Sequence, residues 1–362
     1  MQKLTPAGFE VIAVPGSGMK TFSITTHGDN GGTSQAAAQD IADFIRGENA
    51  AVACQRVFGA GAGDDRETGG EPAGWPVTRL LGNGVGRGAP AICHTHAVSG
   101  APVSRLRLDG EVVGALFEEE DIRYCLLGNL RPPDIGAPRR DQAKAVLEKM
   151  ERALEAAGMG MTDVVRTWFF LDRILDWYGD FNCVRTAFFE EHNLFTGVLP
   201  ASTGVGAANA AGASLVADAI AMQSKKGRLG RVSVPSPLQC PATDYRSSFS
   251  RAVEIRLPAH RLLYISGTAS ITPDGRTAHA GDLESQIALT MDVVAGILLS
   301  RGMNWSNVSR GIAYFQDAGE APCLDRYSRE RNRALPPIAV FSADICREDL
   351  LFEIEIDAVA GW

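Results

Sequence analysis

An internal repeat constrains the fold of this chain more than any other feature of its sequence. The segment at 158–172, GMGMTDVVRTWFFLD, matches the segment at 302–316, GMNWSNVSRGIAYFQ, in its Gly-Met start, a Val and an Arg, at a constant offset of 144 residues. A repeat of this length indicates that one structural unit occurs more than once. Because 362 residues also exceed one ordinary hydrophobic core, we expect two or three such units.

Both repeated segments are flanked by the same predicted elements. A short apolar strand precedes an amphipathic helix, the repeated strand follows, and a second amphipathic segment, a proline and further apolar strands complete the copy. We therefore predict an α/β (α+β) fold of tandem units, each a mixed sheet packed by two helices on one face, with the strands that flank the first helix parallel. The predicted units are an N-terminal partial unit at 1–105, a first unit at 106–225 and a second at 226–362, with a polar linker at 223–250.

Composition narrows the functional class. The net charge of −8 lacks the clustered Lys and Arg that nucleic acid binding requires, and no apolar run approaches the roughly 20 residues that span a membrane. Seven scattered cysteines without a CxxC pair favour reduced thiols, and the first residues do not resemble a secretory signal. We expect a cytoplasmic protein that binds small molecules, with neither nucleic acid nor membrane as partner.

A carboxylate-rich strand, LFEIEIDAV, is the best candidate for acid/base chemistry. Glu353, Glu355 and Asp357 are spaced by two, so a regular strand places them on one face, where repulsion raises the pKa of at least one. A second interpretation is that this face lies toward solvent while the alternate residues pack in the core. An offset of 136 aligns Ala217 with Glu353, so only the C-terminal copy carries the acid.

Other polar motifs leave two interpretations open. Cys346 beside Arg347 is either an activated thiolate or a buried structural thiol. Thr203 and Gly204 either admit a planar ligand or form a tight turn. His94 and His96 share a face as metal ligands would, but no third ligand is evident, and the glycine-rich GNGVGRG at 82–88 is interpreted as a plain loop.

Four motifs, YISGTASI, AHAGDLESQ, GMNWSNVSRGIAYFQD and ADICREDLLFEIEIDAVA, resemble the YjgF/RidA superfamily and, more narrowly, its tandem chorismatase branch. The resemblance covers roughly 110–362. It implies a chorismate-mutase-like fold, a homotrimer, and sites in clefts between units. The arginine that deaminases of the superfamily carry after a late proline is absent here, where the chain reads Pro200-Ala201 and Pro337-Ile338.

The same resemblance suggests roles for individual residues. It implies that Glu353 donates the proton, that Cys346 is an accessory group, and that substrate contacts come from Arg347, Thr203, Gly204, Arg185 and His279. For His279, a hydrogen bond that fixes its loop is the alternative. No metal or other cofactor is implied.

The function predicted from these residues is a chorismatase-like hydrolase or lyase that acts on a small carboxylated metabolite by general-acid catalysis in a cleft between units. Two alternatives remain. One is an enamine or imine deaminase, and the other is a non-catalytic protein that binds a small molecule in the same cleft.

Overall fold

A computed structural model describes residues 1–6, 8–26, 35–59, 74–82, 92–332, 335–336 and 338–362. Apart from Gly82, the glycine-rich segment interpreted as a plain loop lies outside the described residues.

The described residues form nineteen strands and five α-helices. The strands are β1 (Gln2–Leu4), β2 (Phe9–Pro15), β3 (Lys20–Thr26), β4 (Ala50–Phe58), β5 (Val77–Leu81), β6 (Ile92–Ser99), β7 (Ser104–Leu108), β8 (Glu111–Glu119), β9 (Ile122–Leu130), β10 (Val164–Leu171), β11 (Ala201–Gly206), β12 (Ala208–Asn209), β13 (Leu215–Ser224), β14 (Gly230–Val234), β15 (Ala252–Arg256), β16 (His260–Ala269), β17 (Val308–Phe315), β18 (Ile338–Ser342) and β19 (Phe352–Gly361). The helices are α1 (Gln35–Gly47), α2 (Arg139–Ala156), α3 (Tyr178–Glu191), α4 (Leu283–Ser300) and α5 (Pro322–Glu330).

Three mixed sheets share one strand order. The N-terminal sheet runs β1-β2-β3-β6-β4-β5-β12, the middle sheet β11-β10-β13-β9-β8-β7 and the C-terminal sheet β14-β15-β16-β19-β17-β18. In each, the long last strand lies between two strands that are antiparallel to it, so β9 is parallel to β10, as predicted, without being its neighbour. The mixed fold of tandem units is confirmed, while the exact domain bounds stay a prediction.

The N-terminal sheet is more complete than the predicted partial unit. Its five inner strands, β2-β3-β6-β4-β5, follow the same order as β8-β9-β13-β10-β11 of the middle sheet. The sheet of the predicted partial unit is therefore complete, although only α1 represents the helices within its described residues.

Apolar stripes attach the long helices to the sheets. In α2, Val146, Leu147 and Met150 are fully buried in the core of the middle unit. Helix α4 is long and apolar enough to cross a membrane, which corrects the expectation that no apolar run approaches that length. Half of its residues are buried, and they pack in the core of the C-terminal unit, as expected for a core helix.

Strand register corrects the alignment of the two copies. Phe170 and Tyr314 are repeat partners, and they pair with Val216 and Glu353 respectively. Val216 rather than Ala217 is therefore the counterpart of Glu353, at an offset of 137. Both faces of these strands are buried, so hydrophobicity alone could not reveal a slip of one residue that exchanges the faces.

A core shared by all three sheets lies at their junction. It contains Phe58 of the N-terminal sheet, Trp168 and Phe170 of the middle sheet and Tyr314 of the C-terminal sheet. Since β19 is covered on both faces, the interpretation that its carboxylates face solvent is wrong. This burial creates the electrostatic environment of the candidate site.

Candidate active site

A cavity of about 190 Å³ lies between the middle and C-terminal units. Its walls come from α3, β11, the segment before β15, β16, and the loop and strand around β19. The lining residues are Tyr178, Asn182, Arg185, Ser202, Gly204, Tyr245, Ser247, Phe249, Arg251, Gly267, Ala269, Ile271, Cys346, Arg347 and Glu353. Five of the seven residues singled out from the sequence are among them.

Glu353 presents the one acidic side chain among these lining residues. The residue is 5% exposed, and within the described part of the chain its carboxyl has no hydrogen-bond or ion-pair partner. Burial, and secondarily the charge of Glu355, raise its pKa to about 8 against the opposing effect of Arg166 and Arg251. The spacing argument predicted a raised pKa, but burial is a larger cause than repulsion.

Gly267 of β16 makes room for this carboxyl. A Cβ atom at this position would lie 2.0 Å from Oε1 of Glu353, far inside van der Waals contact. The glycine of the ISGTAS motif therefore serves close approach rather than a turn.

The other two carboxylates of β19 are paired in the shared core. Nε of Arg310 donates to Oδ2 of Asp357 at 2.7 Å, and Nη1 of Arg310 donates to Oε1 of Glu355 at 2.6 Å. Nη2 of Arg166 donates to Oε2 of Glu355 at 3.0 Å, and the Trp168 indole donates to both Glu355 oxygens at 2.8 Å. Burial would raise the pKa of Glu355, but Arg310 and Arg166 outweigh it and hold the pKa at about 2.

Two buried arginines of the cavity wall each have a donor atom without a hydrogen-bond partner among the described residues. Arg185 donates from Nη2 to Asn182 at 2.7 Å, and Arg251 donates from Nε to the Cys240 carbonyl at 2.9 Å. Nε of Arg185 and Nη2 of Arg251 have no partner among the described residues. Unsatisfied buried guanidinium donors favour an anionic ligand.

Arg347 is one of the cavity-lining residues, and its contact with substrate stays a prediction. Its Nη1 donates to the Gly275 carbonyl at 2.9 Å, and its guanidinium lies 5.7 Å from the Tyr245 ring. It lines the cavity, but it does not pair with Glu353.

Cys346 also lines the cavity, but its environment does not favour a thiolate. Burial and the charge of Glu353 raise the pKa of the thiol to about 12, and Arg347 offsets only part of this. The thiol therefore remains protonated at neutral pH, which argues against nucleophilic attack by Cys346.

We expect Cys346 to alkylate slowly. At pH 8, iodoacetamide should modify it roughly 10-fold or more slowly than the exposed Cys183, as followed by peptide mass spectrometry. Equal rates for the two cysteines would mean that Cys346 is a reactive thiolate.

Two predicted contact residues do not line the cavity. Thr203 is 1% exposed, and its hydroxyl accepts from Nη2 of Arg166 at 2.8 Å and from the Gly267 amide at 3.1 Å. His279 is exposed, and its backbone carbonyl accepts from Nε2 of Gln286 at 3.2 Å, so a role for its imidazole stays a prediction.

Sequence reasoning missed Arg251, Tyr178 and Tyr245. Tyr245 lies within the segment 223–250 that was interpreted as a polar linker, and Arg251 directly follows it. This segment instead forms β14 and part of the cavity wall. An arginine flanked by Ser and aromatic residues immediately before an apolar strand was the available signal.

The histidines considered as metal ligands lie elsewhere. His94 and His96 are on β6, with ring centroids 4.8 Å apart. No group of three or more His, Cys, Asp or Glu side chains within the described ranges is arranged to hold a metal ion.

Comparison with known proteins agrees with the motif resemblance. The Endoribonuclease L-PSP family model matches residues 134–223. A chorismatase from Streptomyces hygroscopicus is 27% identical over 220 residues, which cover 54% of this chain and 62% of the relative. A 3-hydroxybenzoate synthase from the same organism is 28% identical over 225 residues, which cover 54% of this chain and 63% of the relative. Less than two thirds of each relative is therefore matched.

A solved chorismatase structure shares the fold. The superposition has a TM-score of 0.67, with 21% identity, and covers 85% of this chain and 92% of the other.

Proposed function

We propose that this chain, a tandem member of the YjgF/RidA superfamily on its chorismatase-like branch, hydrolyses the enol ether of a small, chorismate-like carboxylate by general-acid catalysis at Glu353. The observation that carries the proposal is an unpaired, buried carboxyl that faces a cavity and has a pKa near 8. Such a group is mostly protonated at neutral pH, as a general acid must be.

The proposed chemistry needs one acid and one water. Glu353 gives its proton to the terminal carbon of the enol ether, and an oxocarbenium ion forms. Water adds to this ion and loses a proton to the Glu353 carboxylate. The resulting hemiketal collapses to pyruvate and an alcohol, so the acid is regenerated.

The cavity supports an anionic substrate. Arg185 and Arg251 place two guanidinium groups in the cavity wall, and their positive charge favours a substrate carboxylate, in place of the arginine that the deaminases carry after the late proline. The volume of about 190 Å³ lies below the roughly 300 Å³ at which pockets for drug-sized ligands begin, so the cavity restricts the ligand to a small metabolite.

The homotrimer implied by the resemblance stays a prediction, as does the location in the cytoplasm.

The direct test is incubation with chorismate. We expect stoichiometric pyruvate, measured with lactate dehydrogenase, together with a cyclic or aromatic product seen by chromatography. Glu353→Gln should lower the rate about 10²- to 10⁴-fold, whereas Glu348→Gln, at an exposed carboxylate in the loop before β19, should not.

Three outcomes would contradict the proposal. Absence of product at high enzyme concentration would exclude chorismate as substrate. Calorimetric binding of chorismate without turnover would favour the binding protein. Faster loss of imines generated by an amino-acid oxidase, followed by semicarbazone trapping, would favour the deaminase.

A further inference from the structure

A buried ion cluster adjoins the cavity without lining it. It consists of Arg166, Arg310, Glu355 and Asp357 around Trp168, which we call the arginine–carboxylate cluster. The side chains of Arg166, Arg310 and Glu355 are 0% exposed. Apolar residues of similar volume are often as stabilising as such a cluster, so its presence invites a role beyond stability.

The cluster is connected to Glu353 along two routes. Along β19, Glu355 lies two residues from Glu353 on the same face. Through side chains, Nη2 of Arg166 donates both to Glu355 and to the Thr203 hydroxyl, which also accepts from the Gly267 amide. Gly267 is the residue against which the Glu353 carboxyl rests.

We propose that Glu355 is a positioning residue, whose negative charge, fixed by Arg166 and Arg310, makes Glu353 bind its proton tightly enough to act as an acid at neutral pH. This inference rests on the proposed role of Glu353 as the proton donor. It assigns Glu355 no contact with substrate.

The charges that face Glu353 come from several elements. Arg166 lies on β10, Arg251 precedes β15, and Glu355 is on the same strand as Glu353. Tyr178 of α3 and Cys346 also face it, but both have a pKa raised to about 12 by burial and are neutral. Glu355 is thus the one anion among these groups, and it opposes the effect of Arg166 and Arg251 on the pKa of Glu353.

The middle unit contains a comparable buried pair of arginine and carboxylate, but it has no acidic residue at the position equivalent to Glu353. Asp218 is the register counterpart of Glu355, accepts from Nε of Arg56 at 2.6 Å and from the Thr78 hydroxyl at 2.6 Å, and lies in the same strand as Val216. A purely structural role for Glu355 is therefore the rival explanation. Any test has to measure Glu353 itself.

The experiment is a direct titration of the Glu353 carboxyl by infrared difference spectroscopy on the full chain, with Glu353→Gln as the blank. In the wild type we expect a midpoint near pH 8. Glu355→Gln removes the anion that opposes Arg166 and Arg251, so the midpoint should fall by at least one pH unit, a tenfold or greater loss of proton affinity. Glu355→Asp keeps the charge and should restore the midpoint.

A second variant covers the case in which Glu355→Gln does not fold. Arg166→Gln removes a cation that faces Glu353, and the midpoint should rise rather than fall. A midpoint that does not move in either variant, or moves the same way in both, would overturn the inference. Because the titration needs no substrate, these shifts would support the inference even if chorismate is not turned over, and the assay above tests the proposed function separately.

Discussion

Gly267→Ala is expected to reduce turnover of chorismate at least about 100-fold while the protein stays folded. The added methyl group would lie 2.0 Å from Oε1 of Glu353 and 3.2 Å from the Thr203 methyl, so the carboxyl must move. A displacement of about 1 Å at the reacting group can cost this much in rate. The measurement is the pyruvate assay together with circular dichroism to establish folding.

Gly204→Ala is the matched control. Gly204 also lines the cavity, but a Cβ atom there would lie at ordinary distances from Tyr178, 3.7 Å from its ring and 3.8 Å from its hydroxyl oxygen. We expect its rate to stay within a few-fold of the wild type. If both glycine variants lost activity equally, the loss would reflect the volume of the cavity and not the position of Glu353.

Glu353→Gln is expected to stabilise the protein at alkaline pH even though it removes the proposed acid. The folded-state pKa of about 8 exceeds the ordinary value of 4.5, so between these pH values the folded state holds a proton that the unfolded state has lost. The free energy of unfolding of the wild type therefore falls as pH rises through this window, and the penalty is fully present above pH 8. Its upper limit is on the order of 5 kcal/mol.

Urea unfolding at pH 5 and pH 9 would measure this effect. The difference in unfolding free energy between Glu353→Gln and the wild type should be near zero at pH 5 and clearly positive at pH 9. Glu348→Gln, at an exposed position, should show no such trend. A variant that is less stable than the wild type at pH 9 would mean that the Glu353 carboxylate is paired or solvated in the folded state.

The repeat was sufficient to predict the strand-helix units because the period of apolar residues differs between strands and helices. The offset of 144 residues also identified Arg166 and Arg310 as equivalent positions of the two copies. It did not identify Arg310 as the partner of Glu355 and Asp357, since that pairing depends on which strands become neighbours. The position of Glu353 followed from the motif resemblance, whereas its neighbour Arg251 comes from a segment with no repeat partner.

The register of β13 and β19 shows a second limit of sequence reasoning. Strands with one solvent-exposed face alternate apolar and polar residues, and this alternation reveals a register error of one residue. In β13 both faces are buried, so Val216 and Ala217 are equally compatible with an alignment to Glu353. Hydrogen-bonded pairing with Phe170 was needed to decide between them.

The common strand order of the three sheets has a consequence for how this protein can evolve. In an assembly of identical subunits every substitution appears at all equivalent clefts, whereas three sheets in one chain can diverge independently. Glu353 pairs with Tyr314 in the C-terminal sheet, whereas its counterpart in the middle sheet, Val216, pairs with Phe170. Covalent linkage also fixes the local concentration of the three sheets, so their association withstands dilution that would separate free subunits.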